Sequence, residues 1–329
     1  MSSTGEFEFI RQRLAPLAAN YPGAFDLTDD AAVLSVPDGQ EIVVTSDTLI
    51  EGVHFLADDP ADTVAIKALR VSVSDLSAMG ATPSACMLSI SWPREGSDEQ
   101  RERFVDGLAQ ECAARGISLI GGDTTVTDGP WTLTGTLFGL APKGGVVRRS
   151  GARPGDILAV TGSIGNSGLG LQVARGTVDL NPALNTRLVK HYRVPPVRSD
   201  TAGFVRQFAS AAIDISDGLI ADSGHLANAS GVGICLELQK IPVSAGLAEF
   251  WLRGHDSWID GLVFLATCGD DYELLLSIPA DRFEAAAVAF ASKECALTAI
   301  GHVAKGRGVT VLGEGGAELQ IGKAGFTHF

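Results

Sequence analysis

Five stretches of the chain set an aspartate in a turn rich in Gly, Ser or Thr, four of them directly after an apolar, strand-like run. They are Thr28-Asp29-Asp30, Ile42–Asp47 (IVVTSD), Leu119–Thr124 (LIGGDT), Ala212–Gly218 (AIDISDG) and Thr267–Asp271 (TCGDD). One such turn is ordinary, because aspartate caps helices and closes Asx turns. Five point to carboxylates gathered at one rim. Carboxylates at that density repel one another unless cations lie between them, and hard oxygen donors favour Mg²⁺. The chemistry predicted is a polynuclear magnesium site that holds phosphates.

Asp75 adds a carboxylate from a helix. Val64, Ala68, Val71 and Asp75 share one helical stripe, and a carboxylate continuing an apolar stripe is costly to bury unless paired or metal-bound. Ser72 or Ser74 could instead satisfy it, or the helix could turn it to solvent. Thr45-Ser46-Asp47 offers two hydroxyls and a carboxylate, suited to Mg²⁺, within what would otherwise be a plain strand-to-loop turn. In Gly121-Gly122-Asp123-Thr124 the glycines let backbone approach a phosphate closely. Asp214 ends an apolar strand, whereas Asp217 also stands where a helix N-cap belongs. The glycine-rich corner Thr161–Gly170 lies between a strand and a helix, a context suited to phosphate binding by amides, but it lacks the Walker A lysine. Arg148, Arg149 and Arg153 form the one basic cluster, either a polyphosphate clamp or a solvated linker.

These residues need a scaffold of alternating strands and helices. Ser3 and Glu6 have capping-box spacing ahead of a first helix interrupted near Pro16. Residues 31–36 and 41–45 read as strands, 61–79 as a helix and 85–92 as a strand. Ser97 and Gln100 open a second helix that Gly116 stops, and strands follow at 117–120 and 131–140. The aperiodic, Gly/Pro/Arg-rich segment 141–155 reads as the connection between domains. Beyond it the pattern predicts strands at 157–161, 211–215, 233–238, 272–278 and 297–303, and helices at 169–175, 219–229 and 282–291. The class is α/β or α+β, and 329 residues suit two domains.

Bulk composition narrows the function. Hydrophobic content of 45% with 19% charged residues predicts a soluble globular protein, with no run of the roughly 18 apolar residues that a membrane span needs. The N-terminus shows no secretion signal. Five scattered cysteines without a Cys-x-x-Cys predict a reducing, cytoplasmic setting and neither disulfides nor zinc. Net charge of −14 argues against nucleic-acid binding, yet metal ions can still mediate phosphate contacts.

In order along the chain stand Ser46–Phe55 (SDTLIEGVHF), Lys67–Ala81 with its Val-Ser-Asp75-Leu, Gly121–Thr125 (GGDTT) and Arg149–Asp156 (RSGARPGD). Ile213–Leu219 (IDISDGL), Gly269–Leu274 (GDDYEL) and the terminal Gly325–Phe329 (GFTHF) follow. Together the seven motifs resemble the thiamine-monophosphate kinase family over nearly the whole chain. The resemblance implies a two-domain aminoimidazole ribonucleotide synthetase-like fold, whose N-terminal domain closes a β-barrel across a homodimer. Residues 1–142 would form the ATP/Mg-binding and dimerisation domain, and residues 143–329 a C-terminal α/β domain completing the active site. The implied reaction is magnesium-dependent, in-line transfer of the ATP γ-phosphate to thiamine monophosphate, giving thiamine diphosphate and ADP.

Position by position, the resemblance implies Asp30, Thr45, Ser46, Asp47, Asp75, Asp123, Asp214 and Asp217 as magnesium ligands. It implies Gly122, Asp123, Arg149 and Ser216 as ATP-binding residues, and His54, Asp270 and Phe326 as contacts to thiamine monophosphate. The sequence departs from the family at Asp270, where a glutamate is usual, and one methylene less shortens its reach.

Overall fold

The computed structural model describes residues 6–248 and 257–326; Ser3 of the expected capping box and residues 327–329 of the last motif lie outside them. The chain divides into two compact units, Met1–Leu76 with Ala81–Gly144, and Ser77–Gly80 with Gly145–Phe329.

In the first unit α1 (Glu6–Phe9) passes into a π turn at Ile10–Leu14 and a 3-10 turn at Ala15–Ala18 that contains Pro16. No strand forms at residues 31–36, contrary to the sequence pattern, because the Val33 amide donates to the Gly23 carbonyl (2.8 Å) of the preceding turn. The regular elements are β1 (Gln40–Ile50), α2 (Ala61–Ala78), β2 (Thr82–Pro93), α3 (Asp98–Arg115), β3 (Ser118–Thr127) and β4 (Thr132–Pro142). The sheet order is β1-β4-β2-β3; β2 and β3 are parallel, joined by the α3 crossover, and the other pairs are antiparallel. Ser97 accepts the Gln100 amide (3.1 Å) at the start of α3, and left-handed Gly116 ends it, as the residue types dictate.

One face of this sheet is packed. Leu133, Leu137 and Ala141 of β4 are buried, as are Val64, Leu69 and Leu76 of α2. Trp92 and Trp131 stack at 5.2 Å, with Phe104 of α3 and Phe55 set edge-on to Trp131. Each such side chain contributes on the order of 1.5–3 kcal/mol by leaving water. The alternate face carries Ser46–Thr136 and Thr48–Thr134 hydroxyl pairs at 3.1 and 2.8 Å, with exposed Val44 and Met87. The sheet is open: among the described residues β1 and β3 have no outer partner.

The second unit has β5 (Ile157–Thr161), α4 (Asn166–Ala174), α5 (Pro182–Arg193), α6 (Ala202–Phe208), β6 (Ala211–Asp214), α7 (Leu219–Ser230) and β7 (Gly233–Glu237). Then come α8 (Trp258–Thr267), β8 (Leu274–Ile278), α9 (Phe283–Ala291), β9 (Leu297–Ala304), β10 (Gly308–Leu312) and the short β11 (Glu318–Leu319). They form a seven-stranded mixed sheet, β11-β10-β7-β9-β5-β8-β6, in which β10 and β7 alone are parallel. Leu158, Val160 and Ile213 pack one face with Leu169, Leu188, Leu226 and Leu265, while Ala159, Ala212 and Leu276 pack the other with Val205, Ala286 and Phe290. Strands buried on both faces read as continuous apolar runs, which is why residues 157–161, 211–215 and 272–278 were legible.

Candidate active site

In the first unit the strands carry the acids directly. The sequence places turns at Thr45–Asp47 and Gly121–Thr124, but β1 and β3 run straight through them, with Asp47 opposite Gly135 and Asp123 opposite Ser89. Strand alternation then sorts the side chains. Thr45 and Asp47 face α2: Thr45 Oγ1 donates to Asp75 Oδ2 (2.5 Å), and Ser72 Oγ donates to Asp47 Oδ2 (2.6 Å). Ser46 points the other way, its hydroxyl paired with Thr136 at 3.1 Å, so its side chain is not brought to that cluster. Asp75 is half-buried and meets Thr45, a partner beyond the two serines that the helical pattern suggested.

A second group gathers on β3. Asp30, Gly122 and Asp123 line one cavity of about 200 Å³, whose other walls include Phe9, Ile10, Leu27, Met87 and Ile120. Since β1 and β3 are opposite edges of the sheet, Asp47 and Asp123 stand three strand spacings apart, roughly 14 Å. The first unit thus brings Asp47 to Asp75, and Asp30 to Asp123, as two groups.

His54 lies in the turn after β1. The Ile50 amide donates to its Nδ1 (3.0 Å), so a neutral imidazole carries its proton on Nε2. The buried Lys67 donates to the His54 carbonyl (2.9 Å) and fixes the turn from α2.

In the second unit one turn, Asp214–Gly218, collects the remaining residues. Asp214 ends β6 and is buried. The Ser216 carbonyl accepts the Asp270 amide (2.8 Å), and the Asp217 carbonyl accepts the Phe326 amide (2.9 Å). Both contacts need a glycine just before the contacting residue: a Cβ on Gly269 would lie 2.4 Å from the Ser216 carbonyl oxygen, and one on Gly325 2.4 Å from that of Asp217. Asp270 and Tyr272 hold left-handed φ of 69° and 51°, an arrangement costly for residues other than glycine, and the Tyr272 hydroxyl donates to Asp270 Oδ1 (3.0 Å). Beside β6, the Arg148 carbonyl accepts the Ala212 amide (3.1 Å), which sets exposed Arg149 next to the same strand.

Two sequence expectations change here. Asp217 does not cap α7; the N-cap is Gly218, and Asp222 from the first turn supplies the acceptor instead. Asp222 Oδ2 receives the amides of Ser216, Asp217 and Gly218, each at 3.1 Å. Burial, then the Asp217 charge, push the Asp222 carboxyl up to about 7, against the three amides, which pull it down. The glycine-rich corner before α4 is also filled from within. Gly165 donates its amide to both oxygens of Asp271 (3.0 and 2.9 Å), a carboxylate that burial drives well above the usual range. That amide site holds a protein carboxylate, and the phosphate role fitted from the sequence does not follow.

Asp222, Tyr272 and Lys67 escaped sequence reasoning. Their signals were faint: an acid in a helix's first turn, an aromatic two residues after an acid, and a lysine inside an apolar helix stretch. Ligand atoms of Asp217, Asp222 and His225 also converge within 4.8 Å of one another.

The donor set fits a hard cation. Among the described residues Asp30, Asp47 and Asp123 pair with no basic side chain; Asp47 meets the Ser72 hydroxyl, while Asp30 and Asp123 open into a cavity whose other walls are largely apolar, so the charged groups offered to a ligand are carboxylates.

Residues 28–141 match the AIR synthase related protein N-terminal domain and residues 153–314 the corresponding C-terminal domain, so this mixed α/β fold is that of the AIR synthase-related proteins. A thiamine-monophosphate kinase of Caulobacter vibrioides is 40% identical over 98% of this chain and 90% of its own length. The crystal structure of thiamine-monophosphate kinase from Stenotrophomonas maltophilia K279a is similar with a TM-score of 0.80 and 36% identity, covering 89% of this chain and 91% of that one. AaThiL complexed with AMPPCP and TMP is similar at a TM-score of 0.79 and 30% identity, covering 92% and 91%. The chain belongs to the thiamine-monophosphate kinase family.

Proposed function

We propose that this protein transfers the γ-phosphate of ATP to thiamine monophosphate, giving thiamine diphosphate and ADP. The observation that carries the reading is the oxygen-only donor set, held by strands, a helix and one turn, in a chain of this family. Bound Mg²⁺ would supply charge neutralisation for the phosphates. Asp47 and Asp75 with Thr45, Asp30 with Asp123, and Asp214 with Asp217 are the residues that would hold it. Ser46 could join only through its main chain, since its hydroxyl is turned away.

No general base is needed. The acceptor is a phosphate monoester with a second pKa of about 6, so its oxygen is already anionic near neutral pH. Repulsion is the obstacle: two unit charges about 4 Å apart cost roughly 4 kcal/mol at an effective dielectric of 20, and several such pairs form as the two anions meet. The Gly122 main chain and Arg149 are suited to ATP phosphates, and Ser216 offers a hydroxyl. His54 can donate from Nε2, Asp270 complements the cationic thiazolium, and exposed Phe326 offers an aromatic face. The residue set divides between residues 1–142 and 143–329.

The same reading includes a homodimer whose N-terminal sheets close a β-barrel, supported by two long edge strands, β1 and β3, left open in one chain. It also includes a cytoplasmic setting; no described helix is long and apolar enough to cross a membrane. The test is incubation with Mg-ATP and thiamine monophosphate followed by chromatography. Thiamine diphosphate should form with one ADP per product. A chain that consumes neither substrate, or accepts a purine intermediate instead, overturns the proposal.

A further inference from the structure

The turn at 214–218 has an unusual dependence on one side chain. Its amides at Ser216, Asp217 and Gly218 all point inward to a single oxygen of Asp222, a residue only 2% exposed. Its carbonyls point outward, and two of them carry the neighbouring segments, Ser216 to Asp270 and Asp217 to Phe326. A third link, the Ile215 carbonyl accepting the Tyr272 amide (2.8 Å), ties down the residue whose hydroxyl orients Asp270. Peptide planes are rigid, so fixing the three amides also fixes the carbonyls of the planes they share. The Ser216 carbonyl belongs to the plane of the Asp217 amide, and the Asp217 carbonyl to that of the Gly218 amide.

We infer that Asp222 is a positioning residue: its carboxylate sets the 214–218 turn, and through that turn it places Asp270 and Phe326 relative to Ser216 and Asp217. This inference rests on the function proposed above for the residues so placed. The hydrogen bonds that Asp222 accepts come from main-chain amides of the turn. Its role is served by charge-assisted hydrogen bonds, stronger than those a neutral side chain makes. The substitution Asp222→Asn would keep the shape, but the neutral amide oxygen would hold the three backbone amides more weakly.

Asp156 provides a matched control in the same unit. It is also buried, and accepts from the Ser210 and Ser277 hydroxyls (2.5 and 2.8 Å) and the Arg153 amide (3.1 Å), but it has no link to the turn. Asp222→Asn and Asp156→Asn should be compared by thermal unfolding, amide hydrogen exchange, and steady-state kinetics with each substrate varied. For Asp222→Asn, exchange should rise in peptides covering 214–218, 269–273 and 325–326 while the rest of the unit stays protected. Its KM for thiamine monophosphate should rise and its kcat/KM fall roughly 10–100-fold, the range for losing a group that orients ligands. Asp156→Asn, at a comparable loss of melting temperature, should keep both constants within about twofold of the parent, the level of an uninvolved buried group.

Exchange that rises evenly through the unit in Asp222→Asn, or kinetic losses equal in the two variants, would overturn the inference. An inactive parent chain would reject the proposed function instead. The exchange pattern would still decide whether Asp222 holds the turn.

Discussion

Asp75 is the residue on which most converges. It continues an apolar helical stripe, is half-buried, and accepts from Thr45 on a neighbouring strand. Asp75→Asn should leave the fold intact, since an amide oxygen can still accept from Thr45. Activity should fall by at least the roughly 10–100-fold seen when groups organising a metal site are lost. Circular dichroism and turnover measured together check this, and near-normal turnover would return Asp75 to a structural role. At Asp270 the shorter acid is steadied by the Tyr272 hydroxyl at 3.0 Å. Tyr272→Phe removes one hydrogen bond worth about 1 kcal/mol, so the KM for thiamine monophosphate should rise about fivefold with the KM for ATP unchanged. The acids themselves were legible in the sequence because carboxylates in apolar surroundings are anomalous. Their organisers were not: Lys67 holds the His54 carbonyl, Asp222 the amides of Ser216, Asp217 and Gly218, and Tyr272 the Asp270 carboxylate, contacts set by how the backbone turns rather than by residue spacing.

The elements that carry these residues are held by ordinary means, and one of those means is ionic. Glu111 of α3 is buried and accepts from Arg70 of α2 in two bonds of 2.9 Å and from Arg115 in a third of 2.9 Å. Burial alone would raise its pKa, but the two guanidiniums outweigh burial and hold it below the usual range. A depressed folded-state value means that the stabilisation is present above the unfolded-state pKa, about 4.3, and is lost as pH falls through the lower folded-state value. Glu111→Gln should therefore cost about 3 kcal/mol at neutral pH, with the gap between parent and variant closing in acid. Urea unfolding at several pH values measures both. Strands and helices with apolar runs or caps were readable in sequence, as Ser97 and Gly116 show. The lengths of β1 and β3 were not, because Gly, Ser, Thr and Asp look like turn residues until a partner strand is present to pair them. The absent strand at 31–36 is the converse error, an apolar run whose amide at Val33 is taken by a local turn.

At the scale of the whole molecule, a chain of net charge −14 would, in the proposed reaction, bring together two phosphate-bearing substrates, which carboxylate-held cations make possible. Chelation with EDTA should abolish turnover, and added Mg²⁺ should restore it. If the proposed homodimer closes the open edges β1 and β3, sedimentation equilibrium should give twice the 34.2 kDa chain mass; a monomer at micromolar concentration would contradict the barrel. The overall class and the two-domain order were legible from alternating strand and helix patterns and from the motif order. The order of strands within each sheet was not, since it depends on contacts distant in sequence. In the proposed reaction the phosphate passes directly between two anions without a covalent protein intermediate, and ATP labelled in its γ-phosphate tests this. With Mg²⁺ and thiamine monophosphate present, the label should appear in the terminal phosphate of thiamine diphosphate, with none on the protein. Absence of thiamine diphosphate, or a protein labelled by ATP alone that then passes its phosphate to thiamine monophosphate, would contradict direct transfer.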